Sequence, residues 1–482
     1  MSSKPEHLDV LIIGAGLSGI GAACHLESRL KGKSYAILER RDHLGGTWSL
    51  FRYPGVRSDS DMYTLGYRFK PWLGDKALAD GDSILQYVEE TAREYGVDKR
   101  IRYGHSVVGA SWSTEDARWT VRVEHDGETT ELTCGFLLSC GGYYDYDQGY
   151  TPEFAGTDRF QGQIIHPQHW PEDLDYAGKR VVVIGSGATA VTLVPAMADD
   201  TAHITMLQRS PTYIMSLPAR DPIALGLRKL LPTKAAYRAT RWKNVLQQIA
   251  LYKLARSQPG AVRRLIRSMN QRLLPEGYDI DTHFKPRYDP WDERLCLVPD
   301  ADLFRAIKKG KAEIVTDTIE TFTERGLLLA SGKELEADII VTATGLNLKA
   351  FSGMELDVDG AEVKLPEIMT YKALMLSGVP NYAFTIGYTN ASWTLKADLV
   401  SEYVCRLLAH MDEHGYEAVV PVREADVEER PFMDFTPGYV LRSIDELPKQ
   451  GSRAPWALKQ NYLVDVRTIR KGAIDDGALA FS

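Results

Sequence analysis

The sequence predicts an α/β protein built on two Rossmann-like dinucleotide-binding domains, with a helical insertion in the second. Three observations carry that prediction. Gly14, Gly16 and Gly19 follow the apolar run VLIIG in Gly-x-Gly-x-x-Gly spacing. Gly185, Gly187 and Ala190 repeat the plan after KRVVV, alanine in the third place still allowing close helix–strand packing. Between Asp221 and Tyr278 the pattern changes to helices rich in lysine and arginine, with Leu227, Leu230, Leu231, Trp242, Val245 and Ile249 interleaved.

In the first unit, a tight turn after the strand brings backbone N–H groups to a helix N-terminus, where a pyrophosphate is stabilised; Ser18 adds a hydroxyl. The next strand, SYAILE, ends at Glu39, where a carboxylate binds both ribose hydroxyls of an adenine nucleotide and repels a 2′-phosphate. This spacing fits FAD or NAD. A long Gly/Pro-rich segment, RRDHLGGTWSLFRYPGVRSDSD, follows; within it Asp59 has the sequence context of a turn-capping residue. A helix over DSILQYVEETAREYG and strands over SVVGASWS and WTVRVEHDG come next, with Val107 placed where strand backbone meets an adenine. FLLSCGG reads as a strand ending in a glycine turn.

The second unit carries Ser186 and Thr189 in its turn, and Gln208, Arg209 and Ser210 where the first has its carboxylate. Losing the acid and gaining a guanidinium favours the 2′-phosphate of NADPH. The basic helices read either as a solvated face over an apolar stripe or as a contact for a membrane surface or anionic partner. ADIIVTATG is an apolar strand leading into a small-residue turn that resembles the return element of two-dinucleotide flavoproteins, and a 3.6-residue stripe from Leu399 to Met411 marks a helix that stops at Gly415. The expected organisation is 1–145 as the first part of the first dinucleotide domain, 146–172 as a linker, 173–345 as the NADP domain with its insertion at about 221–278, and 346–482 as the second part of the first domain, which the resemblance described below makes the FAD domain, with a turn-rich tail.

Composition narrows the function. The 482 residues carry a formal net charge of −8, which gives no drive toward nucleic acid. The 5 cysteines are scattered, never Cys-x-x-Cys, so a reducing compartment is expected and no redox dithiol is available. No window approaches the ~18 apolar residues of a spanning helix, and a cytoplasmic protein without a metal site is expected.

Phe160, Gly162, His166, Trp170 and Pro171 in FQGQIIHPQHWP lie between the two fingerprints. By themselves they make a stiff, aromatic linker. Their spacing resembles the Phe-x-Gly-x3-His-x3-Trp-Pro signature of Baeyer–Villiger monooxygenases. LFRYPG, HPQHWPEDLDY, QRSPTYI and GYTNASWTLKADLV extend the likeness along the chain and place it nearest the ethionamide-activating branch. The resemblance implies FAD and NADPH as cofactors, with Gly46, Thr47 and Trp48 beside the flavin and Asp59 near its ring, facing an active-site arginine matched by Arg294. It implies hydride transfer from NADPH to FAD and a C4a-peroxyflavin kept anionic by Arg294. That oxidant converts a ketone to an ester or lactone, and in protonated form oxygenates a sulfide or thioamide. Glu293 departs from the lysine of several relatives that helps hold the 2′-phosphate, leaving Arg209 to carry more of that contact. The alternative is a flavin-containing monooxygenase acting only on nitrogen or sulfur, whose signature lacks the Trp-Pro ending.

Overall fold

The structure is a computed structural model that describes residues 5–293, 295–433 and 438–482, with backbone only at 439. Its first unit is organised on a nine-stranded sheet. The strand Glu6–Ile13 lies inside it, parallel to Tyr35–Glu39 on one side and to Glu128–Ser139 on the other. Its second half is almost wholly buried, as a strand covered on both faces must be. The strand expected over FLLSCGG is the buried end of a longer one, Glu128–Ser139. The first four residues are polar and exposed, pairing antiparallel with Arg118–His125, so no run of apolar residues announces them.

The helix Leu17–Arg29 is buried along its first ten residues, because Trp393–His414 packs over it. That second helix ends at Gly415, whose φ of 72° lets its N–H reach the carbonyls of Met411 and Asp412.

The second unit is a five-stranded parallel sheet in the order Ala312–Thr316, His203–Gln208, Arg180–Ile184, Ile339–Thr342, Gln163–Ile165. Part of the signature stretch is thus an edge strand of this sheet. The chain passes between units twice, and the passages Tyr144–Gly149 and Leu346–Leu348 pair antiparallel. Sheet topology thus gives two Rossmann-like units in one mixed α/β chain.

The insertion comprises the helices Pro222–Leu230, Thr233–Ser257 and Pro259–Leu273. It docks on the first unit through buried polar groups. Arg241 Nη1 donates to the carbonyls of Tyr63 (2.8 Å), Thr64 (3.2 Å) and Gly66 (2.7 Å), while Nη2 reaches Asp398 at 3.3 Å. Asp61 caps the short Met62–Leu65 helix and accepts from Asn244 (2.7 Å) and Gln248 (3.0 Å). No helix among the described residues is long and apolar enough to cross a membrane.

Candidate functional site

The first glycine turn shows why its residues must be small. Gly14 has φ +93°, and a Cβ there would lie 2.9 Å from the Cys140 carbonyl oxygen. At Gly19 a Cβ would lie 1.9 Å from the carbonyl oxygen of Gly14, so helix and turn close only with hydrogen at that place. Gly16 faces Gly46 across a parallel bridge between Gly16 and Gly45, and Gly45 N–H donates to the Ala15 carbonyl at 2.9 Å. The Gly-Gly-Thr-Trp segment is thereby stitched to the phosphate-binding turn.

Gly14, Gly16, Ser18, Glu39, Gly46, Thr47, Trp48 and Val107 all line one cleft of about 250 Å³. Glu39 is buried, and each carboxylate oxygen accepts one backbone N–H, from Ala15 at 2.8 Å and Arg41 at 3.0 Å. One further lone pair on each oxygen remains for a ribose diol. The glycine cradle, the helix N-terminus and this carboxylate fit the adenine dinucleotide half of FAD.

The other end of the cleft shares Trp48, Leu65, Tyr143, Tyr144 and Trp393 with a larger cavity of about 710 Å³. Trp393, at the start of the C-terminal helix, donates its indole N–H to Ser18 Oγ at 2.8 Å and stacks on Tyr143 with ring centroids 5.1 Å apart. Asp59 is half-buried and lines the larger cavity, as do Glu293 and Leu295. Arg294 lies outside the described residues. Asp302 pairs with Arg57 at 2.7 Å and Asp292 with Arg256 at 2.5 Å.

At the second turn Gly185 has φ +141°, and a Cβ would meet the Ala343 carbonyl oxygen at 2.3 Å. Gly187 caps the helix Ala188–Met197 and has open space before it, and Ala190 is fully buried against the sheet. Ser186 Oγ holds the loop by bonding Thr212 Oγ1 (2.9 Å) and the Ser210 carbonyl (3.2 Å). Thr189 hydrogen-bonds the Tyr53 phenol, which burial pushes up to about 12.

Arg209 is exposed and its charge reaches Glu293. Burial, reinforced by Asp292, raises the Glu293 carboxyl above the usual range, while Arg209 opposes that shift. Gln208 is placed differently from its strand neighbour. Its amide is buried and donates to the His283 carbonyl (2.9 Å) and Thr316 Oγ1 (2.8 Å), so it holds the sheet's flank rather than reaching outward.

The signature residues sit where the units meet. Phe160 packs in the second unit's core near Phe322. A Cβ at Gly162 would lie 2.4 Å from the Asp338 carbonyl oxygen. Trp170 is half-buried against the core behind the second turn, and Pro171 is exposed. His166 Nδ1 accepts from Gln168 N–H at 3.2 Å, and Nε2 donates to the Gly345 carbonyl at 3.2 Å. Burial lowers the ring's pKa, which keeps that tautomer neutral.

Sequence reasoning overlooked Tyr143, Tyr144 and Trp393, which join cleft to cavity. The cluster of tyrosines after Gly141-Gly142 was an available signal. Trp393 falls within GYTNASWTLKADLV, but its bond to Ser18, 375 residues away, was not readable there. Arg57, half-buried with Asp302, and Asn244, bonded to Asp61, carried no signal in the sequence.

Residues 76–386 match the family model described as flavin-binding monooxygenase-like, and residues 12–70 match an NAD(P)-binding Rossmann-like domain. The chain is 63% identical over 479 residues to the FAD-containing monooxygenase EthA of Mycobacterium tuberculosis, covering 99% of this chain and 98% of that protein. In structure it is similar to an oxidized steroid monooxygenase bound to NADP, with a TM-score of 0.76 and 22% identity over 98% of this chain and 99% of the other. It is likewise similar to an ε-caprolactone-bound cyclohexanone monooxygenase, with a TM-score of 0.76 and 19% identity over 99% and 100% of the two chains.

Proposed function

Since the chain belongs to the flavin-binding monooxygenase-like family, we propose that it uses NADPH and O2 to convert ketones to esters or lactones, and oxygenates sulfides or thioamides at the same site. At the coarser level it is an FAD-dependent monooxygenase with FAD and NADP as its nucleotides. The observation that supports the finer reading is the junction of cleft and cavity. Five side chains are common to both, so the redox end of a dinucleotide in the cleft opens onto a chamber of about 710 Å³. The likeness to a lactone-bound cyclohexanone monooxygenase and the signature around His166 agree with it.

Bound FAD supplies the ring that activates O2, and NADPH supplies the hydride. The protein's part is to bind, orient and exclude water. Gly14, Gly16 and Gly19 admit the pyrophosphate, and Glu39 fixes the ribose. Trp48, Tyr143, Tyr144 and Trp393 wall the junction, so the reacting oxygen is sheltered from bulk water. In this reading Arg294 offers a fixed positive charge to that oxygen and Asp59 orients the guanidinium from the same cavity. Arg209 holds the 2′-phosphate of NADPH beside the second turn.

Purified enzyme supplied with NADPH, air and a panel of ketones and sulfides is expected to yield esters or lactones as well as sulfoxides. Sulfoxide without any ester would leave the nitrogen- and sulfur-specific alternative. Arg294→Ala is expected to keep FAD and lose ester formation by roughly 10²–10³ fold, the usual cost of one preorganised charge. Full turnover by that variant would remove Arg294 from the mechanism.

A further inference from the structure

The insertion is coloured the wrong way for a water-facing element. Between 222 and 273 the sequence holds about a dozen lysines and arginines and no aspartate or glutamate, in a chain whose net charge is −8. Its longest helix, Thr233–Ser257, turns an apolar stripe outward. Ala235, Ala239, Trp242, Leu246 and Ala250 recur at three- and four-residue intervals, and all are exposed. Trp242 is 41% and Leu246 52% exposed. The same helix buries Thr240, Arg241 and Asn244 among Ala236, Tyr237, Val245 and Ala255, so its buried face is mixed while apolar side chains also stand outward. At the turn into this helix Leu230 and Leu231 are 81% and 40% exposed.

The cations around this stripe are of two kinds. Arg241 is buried, and Lys243, Arg256, Arg263 and Arg267 pair with carboxylates. Lys229, Lys234, Arg238 and Lys253 are exposed and have no ion-pair partner among the described residues. They flank Leu230, Leu231, Trp242 and Leu246. Outward leucines and a tryptophan bordered by unpaired lysines and arginines match the chemistry of an anionic bilayer interface, where apolar side chains enter the acyl boundary and cations meet headgroups.

We propose that this face of the insertion docks on an anionic phospholipid surface, without crossing it. The next face of the same helix carries Lys243, Asn244, Gln247, Gln248 and Leu251, which line the large cavity. Docking therefore sets the cavity beside the lipid, and an apolar substrate dissolved there has a short path to the site.

Flotation of the FAD-loaded enzyme with phosphatidylcholine vesicles, with and without phosphatidylglycerol, tests the proposal. Wild type is expected to float with phosphatidylglycerol vesicles. The exposed-site variant Leu230→Asp/Leu246→Asp, and separately Lys229→Glu/Lys234→Glu/Arg238→Glu, are expected to lose roughly tenfold or more of that binding while keeping bound flavin and the melting temperature. Wild type that stays with the unbound protein overturns the proposal, and so does undiminished binding by both variants. Sedimentation without vesicles supplies the last outcome: oligomers of wild type that dissociate in Leu230→Asp/Leu246→Asp would show the face to be an interface between copies, and would overturn it too.

Discussion

At the scale of single residues the second nucleotide site contains a contest of charge. In the proposed reading Arg209 meets the 2′-phosphate, and Glu293 stands within its field, half-buried and with a carboxyl raised by that burial and by Asp292. On that proposal ionised Glu293 both offsets the Arg209 charge and repels the phosphate, and it loses its charge as pH falls through its raised pKa. Glu293→Gln is expected to lower the KM for NADPH about fivefold, equivalent to ~1 kcal/mol for one partly solvated charge. The gap between wild type and variant should be widest in alkaline buffer and close toward acid. Equal KM values throughout that range would show that Glu293 does not address the nucleotide. Residues governed by local geometry were readable in the chain: Gly14 and Gly19 are demanded by carbonyl oxygens within the same turn and its neighbour strand. Gln208 shows the limit. Spacing brings it to the end of the right strand, but which way its side chain points is fixed by Thr316 and His283, more than seventy residues downstream.

Elements of secondary structure were legible where a period or a stop signal was strong, as in Trp393–His414 with Gly415 behind it. What holds them to one another was not, because it depends on polar pairs far apart in sequence. The Thr233–Ser257 helix is anchored by Arg241, which spans to Asp398 on the C-terminal helix. Burial would raise the Asp398 carboxyl, but His25, Arg241 and the Arg68 N–H hold it below its ordinary value. A carboxylate whose folded pKa is depressed gives stability that is present above the unfolded pKa near ~3.9 and is lost as pH falls through the folded value. Arg241→Met leaves Asp398 with fewer partners and three carbonyls without a donor, at a cost of about 3–5 kcal/mol. Urea denaturation should show that loss near neutral pH and a smaller difference from wild type in acid. A variant as stable as wild type would mean that the helix is held by its apolar contacts alone.

For the whole molecule, the two fingerprints announced two nucleotide units, but not that the signature stretch belongs physically to the second. Gln163–Ile165 completes that unit's sheet, while His166 bonds to Gly345 at the return crossing. This is a join between units rather than an acid–base group, since the ring is neutral and both nitrogens are engaged. His166→Ala is expected to retain FAD and reduce product formed per NADPH consumed, with hydrogen peroxide making up the difference. A ratio unchanged from wild type would confine the histidine to stability.

The first sheet also has a consequence for synthesis. Its strands come from both ends of the chain, with Tyr382–Phe384 beside Glu128–Ser139, and Trp393 reaches back to Ser18. During translation the inner unit emerges whole while the outer one still lacks its closing wall. Capture of the yellow prosthetic group therefore waits for Trp393, which is synthesised 375 residues after the Ser18 that it bonds.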